Sequence, residues 1–149
     1  MKKLITALLF IMLFASCRKR EVDMQTSNGI TGKWNIITVT VIPLDSSASA
    51  INSGTIYTEP PYYYFQFNAN NTWIENLAPD ANSGISESGN YVLNADNSFT
   101  LTNVNAAANP VKCNIDSLTN AMFVFSFSRT TLFNGITPGY LKYIFRLKK

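Results

Sequence analysis

The chain has 149 residues, with 12 Lys and Arg, 9 Asp and Glu, 2 Cys and no His. One ordinary domain fits that length. The missing His excludes a Ser-His-Asp triad, a Cys-His pair, an H-E-x-x-H zinc site and any His general base, and two Cys cannot build a four-cysteine zinc site. Charged residues are only 14% while Asn occurs 17 times, so polarity comes from amides and hydroxyls, which suit turns and sheet surfaces.

Residues 1–16 read as a signal peptide. Lys2 and Lys3 form a positive start, and residues 4–14 are apolar apart from Thr6. As a helix this stretch spans about 16 Å, half a bilayer core, which suits a signal segment and is short for a membrane span. It ends Leu13-Phe14-Ala15-Ser16-Cys17. Small residues followed by Cys resemble the lipobox of bacterial lipoproteins, although Phe14 stands where Leu is usual. The resemblance implies that Cys17 becomes the N-terminus and carries acyl chains such as palmitate. Residues 17–29 are polar and lack periodicity, as expected of a lipidated N-terminus with a flexible tether.

The basic charge is concentrated at the ends. Arg18, Lys19 and Arg20 follow Cys17, and Lys142, Arg146, Lys148 and Lys149 close the chain, whereas residues 30–141 hold three basic and seven acidic side chains. That body is net acidic and offers no stripe for nucleic acid. The triplet beside Cys17 either sits against anionic head groups or is simply a solvated tether.

From Gly32 onward β-branched and aromatic residues alternate with polar ones, and turn residues recur at short intervals. The pattern predicts strands at 34–42, stopped by Pro43, then 62–67, 72–77, 89–94, 98–104, 111–116, 122–129 and 140–147. A short extra piece at 55–58 precedes the second. Asn68-Ala69-Asn70-Asn71 and Ala95-Asp96-Asn97 are turns, since Asn tolerates positive φ. Tyr63, Phe65 and Phe67 share a face, as do Phe123, Phe125 and Phe127, and Leu141, Tyr143, Phe145 and Leu147. Eight antiparallel strands predict an all-β, up-and-down barrel over 30–149, with a two-sheet β-sandwich as the alternative.

Gly32-Lys33-Trp34 resembles the G-x-W signature of lipocalins. Phe67-Asn68-Ala69-Asn70-Asn71-Thr72-Trp73 is similar to the F-x-x-D-G-T-aromatic hairpin of the small lipocalin-like lipoproteins of Bacteroidetes, with Asn70-Asn71 in place of Asp-Gly. Gly89-Asn90-Tyr91-Val92-Leu93 and Ile115-x-x-Leu118-Thr119 resemble later blocks of that family. The resemblance covers nearly all of 32–149 and implies a lipocalin-like barrel. It also implies a floor signature of Gly32 and Trp34, with Arg146 or Arg129 lying over the indole. No second lipocalin motif and no C-terminal helix accompany it, so a retinoid- or fatty-acid-carrier role does not transfer.

Other constellations are weaker. Cys113 lies among Val111 and Ile115 and is expected to be a buried, inert thiol. Pro60-Pro61-Tyr62-Tyr63-Tyr64-Phe65 reads as packing or as an aromatic binding surface. Asp80, Asn82 and Glu87 lack the spacing of a calcium loop. Asp116-Ser117-Leu118 resembles a short Bacteroidetes glycosylation pattern. Among seven scattered acids no catalytic pair stands out. Arg18 after Cys17, where Asp is absent, resembles lipoproteins sent to the outer membrane, and the expectation is a non-enzymatic lipoprotein there, facing the periplasm, without cofactor or metal, whose barrel binds a small hydrophobic ligand or nothing, through residues the sequence does not name. The alternative is an interaction module that offers loops 44–58 and 78–88 to an envelope protein.

Overall fold

A computed structural model describes residues 29–77, 86–104, 110–133 and 137–149. The signal segment, Cys17, most of the tether, Asp80 and Asn82 lie outside the described residues. Among the described residues nine strands form, most of them rich in β-branched or aromatic residues: β1 (Gly32–Leu44), β2 (Thr55–Thr58), β3 (Tyr64–Phe67), β4 (Thr72–Asn76), β5 (Ser86–Asn94), β6 (Ser98–Asn103), β7 (Val111–Leu118), β8 (Met122–Phe133) and β9 (Thr137–Lys148). From β3 to β9 each strand pairs antiparallel with the next, and β9 returns to β1 to close the sheet. β2 and β3 follow one another along a single edge of β1, opposite Thr38 to Val41 and Gly32 to Asn35 respectively. They act as one interrupted strand. The architecture is thus a closed eight-stranded antiparallel barrel, and the sandwich alternative falls.

Local chemistry explains where the strands break. Pro60 and Pro61 cannot donate to a ladder. Tyr63 N–H instead closes a turn on the Pro60 carbonyl at 3.1 Å, so β3 starts at Tyr64 rather than Tyr62. Pro43 does not stop β1, contrary to expectation. Its carbonyl accepts from Ile51 N–H at 2.9 Å, on the side where its own N–H would point. The β1–β2 ladder has already ended at Val41 there, so no ladder bond is lost. Asn71 and Asn97 take φ of 63° and 57° at the two predicted turns.

A bulge between Ile36 and Thr38 inserts Ile37 into β1. Trp34 and Ile36 point inward before it, and Val39 points inward after it. One extra residue therefore moves the inward set from even to odd positions and lets β1 serve two partners in succession. Gly89 meets a different demand. A Cβ there would lie 1.7 Å from the Thr102 carbonyl oxygen, and the Trp73 indole crosses this spot to donate to that oxygen at 3.3 Å.

Aromatic rings fill the lower barrel. Trp34, Phe99, Phe123 and Phe125 are fully buried, together with Phe65, Phe67, Trp73 and Tyr91. Edge-on pairs recur, such as Phe67 with Tyr91 at 5.3 Å and 89° and Phe65 with Phe145 at 5.3 Å and 90°. These are the favoured quadrupole arrangements, each adding about 1 kcal/mol beyond area burial. Outward positions such as Thr102, Lys112, Asn114, Ser128 and Arg146 are exposed and polar. That is the inverse of a lipid-facing transmembrane barrel.

Candidate functional site

The barrel has a closed end and an open end, and they differ chemically. At the closed end Trp34 is fully buried. Its indole N–H donates to the Ile30 carbonyl at 2.7 Å, and its ring packs on Phe123 at 5.5 Å. Gly32 takes φ of +126°, a conformation side chains rarely adopt, and the Lys149 side chain packs beside it within ordinary contact distance. The cation over the indole is Lys149, with Nζ 4.7 Å from the ring. Arg146 does not occupy that place. It lies on the outward, exposed face of β9 between inward Phe145 and Leu147, so strand alternation turns it away from Trp34. Arg129 is also elsewhere, 5.2 Å over Phe127. The closed end is a structural plug with no room for a ligand among these side chains.

At the open end the same alternation continues past the apolar residues and brings polar groups inside. Glu75 follows Trp73 on the inward face of β4. Glu87 precedes Gly89 and Tyr91 on the inward face of β5. The ladder sets Glu75 directly opposite Glu87, which puts their Cβ atoms about 5 Å apart. Asn103, inward on β6 beyond Leu101, donates to Glu87 at 3.1 Å. Arg129 arrives from β8, on the face of Phe123, Phe125 and Phe127.

Electrostatics at this rim are unusual for so few charges. The Glu75 pKa is raised from 4.5 to about 7, chiefly by burial and secondarily by the neighbouring Glu87 charge, with Arg129 opposing both. No ion pair or hydrogen bond to Glu75 is formed among the described residues. Arg129 also acts on Cys113, whose thiol is pushed up to about 12, chiefly by burial. The Arg129 side chain itself is exposed and lies over the Phe127 ring. Beneath this rim Phe127 and Tyr143 stack at 5.2 Å and are half-buried. The open end therefore sets a polar rim over half-buried aromatic side chains. Among the described residues no three Cys, Asp or Glu converge as metal ligands.

Two other surface features bear on binding. A groove of about 210 Å³ lies outside the wall, lined by Asn35, Ile36, Ile37, Thr58, Glu59, Pro61 and Lys148. It sits where the bulge meets the interrupted strand, and it falls below the ~300 Å³ of small-molecule sites. The segment around β2 exposes Ile51, Ile56, Tyr57 and Tyr62, each between 46% and 68% accessible. Asp45 orders the start of this segment by accepting from the Ser47 and Ser49 amides at 2.8 and 2.9 Å.

The sequence alone did not single out Glu75 and Glu87 as a pair. Their signal was parity, since each lies two residues from an inward small or aromatic position. The long β4–β5 connection hid the register that joins them. No protein-family model matches the chain, and comparison with curated proteins yields no similarity.

Proposed function

We propose that this chain is a non-enzymatic lipoprotein of the cell envelope, similar to the small lipocalin-like lipoproteins of Bacteroidetes. Acyl chains on Cys17 hold it in the outer membrane, facing the periplasm, and the barrel takes a small, mainly apolar molecule at its open end. The supporting observation is Glu75: an inward carboxyl above a half-buried aromatic wall, with a raised pKa and no hydrogen-bond partner among the described residues. A ligand with an apolar body and one hydrogen-bonding or cationic group would satisfy both the aromatic side chains and the polar rim of such a mouth. The packed lower barrel confines that ligand to the mouth.

Native mass spectrometry of protein purified from its own membranes tests the reading. A co-purifying small molecule is expected, and Glu75→Gln should reduce its occupancy. A bare wild-type protein across preparations overturns the carrier role. Palmitate labelling that persists in Cys17→Ala overturns the anchor. Protease digestion of intact cells reports which face of the outer membrane the barrel occupies.

A second reading draws on the exposed apolar side chains near β2. Ile51, Ile56, Tyr57 and Tyr62 cluster within twelve residues of sequence, and β2 has a single strand neighbour. An envelope protein could cover them. Cross-linking from Tyr57 in cells, with no ligand at the mouth, would favour this interaction module.

A further inference from the structure

Closure of the barrel sets the basic C-terminal strand beside strands that carry no acid. β8, β9 and β1 are neighbours, and none of the three contains an Asp or Glu. Lys142, Arg146 and Lys148 alternate outward along β9, spanning about 20 Å at ~3.3 Å per residue. Flanking them are neutral side chains, Asn35, Thr38 and Ile42 on β1 and Met122, Val124 and Ser128 on β8. Lys33 and Lys149 extend the stripe around the closed end, where Lys33 also covers Tyr64 at 3.9 Å. The described acids lie elsewhere. Glu75 and Glu87 face inward, Asp96 is paired with Lys112 at 2.6 Å, Asp116 is on β7, and Asp45 sits in the loop after β1. Glu59 alone borders the wall, at the groove it shares with Lys148.

We infer that this β8–β9–β1 wall is a docking surface for anionic lipid head groups. The inference rests on the anchor reading and deepens it by fixing which side of the barrel meets the membrane. Two features select a lipid surface over another polyanion. The chain enters the barrel at Gly29, three residues before Gly32, whose neighbour is Lys149 at the end of the same wall. Eleven residues separate Cys17 from Gly29, a reach of about 40 Å. An acylated Cys17 therefore holds this wall within range of its own leaflet.

Vesicle sedimentation tests this with the full mature chain carrying Cys17→Ser, so that no acyl chain contributes. Binding to phosphatidylcholine vesicles containing phosphatidylglycerol is expected, with none to phosphatidylcholine alone. Each charge removed from the wall should lower partitioning about fivefold, so Arg146→Gln with Lys148→Gln should lose about 25-fold. Lys112→Gln, on a cation already paired with Asp96, should leave binding unchanged, and Arg146→Lys should retain it. High salt should release the protein as the Debye length shrinks from about 10 Å to about 3 Å. Unchanged binding in the double variant overturns the inference, because the tether's Arg18, Lys19 and Arg20 would then suffice. Equal binding to neutral vesicles overturns it, as does equally tight binding to duplex DNA. Failure of the anchor reading shows separately, as absence of palmitate on Cys17 in cells.

Discussion

Replacing Glu75 with Gln should stabilise the barrel at neutral pH and leave it unchanged in acid. A carboxyl whose pKa moves from 4.5 to about 7 carries about 3 kcal/mol of differential interaction, at ~1.4 kcal/mol per pH unit. Solvent contact at the mouth makes that an upper bound. The sign follows from proton uptake. Below about pH 4 both folded and unfolded chains hold the proton, and Glu75 costs nothing extra. As pH rises through 4.5 the unfolded chain releases it while the folded chain keeps it. Stability is lost steadily until about pH 7 and then levels off. Gln carries no such penalty. Urea unfolding of wild type and Glu75→Gln near pH 4 and near pH 8 isolates the effect, because contributions from other groups cancel between the two proteins. The variant should gain up to about 3 kcal/mol near pH 8 and nothing near pH 4. Glu87→Gln should recover a smaller part, since burial outranks the neighbouring charge as the cause. An equal difference between the proteins at both pH values would refute the reasoning.

Cys113, buried and with its thiol near 12, should resist Ellman's reagent in the native state and react only after unfolding; rapid native labelling would place it at the surface. Trp34→Ala should cost about 3–5 kcal/mol in a denaturation midpoint, whereas Trp34→Phe should keep most of the packing and lose about 1 kcal/mol with the bond to Ile30. Gly89→Ala should cost about 3 kcal/mol or more, because the added Cβ overlaps backbone at Thr102 rather than a movable side chain; near-wild-type thermal stability would contradict the register of β5 and β6.

Much of the wall was legible because its strands bury one face. Phe123, Phe125 and Phe127, or Leu141 to Leu147, announce an inward row by alternation alone, and Asn71 and Asn97 mark turns by their tolerance of positive φ. The sequence was harder to read where one local feature outranks the pattern. Ile37 is a bulge, and nothing in Ile36-Ile37-Thr38 distinguishes it from its neighbours. Pro43 looks like a stop, yet it falls where no ladder donor is needed. The Arg146 position failed for a different reason. A motif transfers a role, but parity along β9 decides which cation reaches Trp34, and the terminal Lys149 does so. The polar lip at the mouth depends on pairing across a long connection, which local sequence does not encode.

The seam between β1 and β9 sets the order in which the molecule can be made. Asn35 lies opposite Lys148, so the cylinder cannot close until all of β9 has been synthesised. A nascent chain lacking β9 leaves β1 and β8 each with an unfilled edge and no means of sealing the aromatic interior. Contacts of such long sequence separation form slowly. Removing the C-terminal dozen residues would leave an open sheet with two sticky margins, prone to edge-to-edge association.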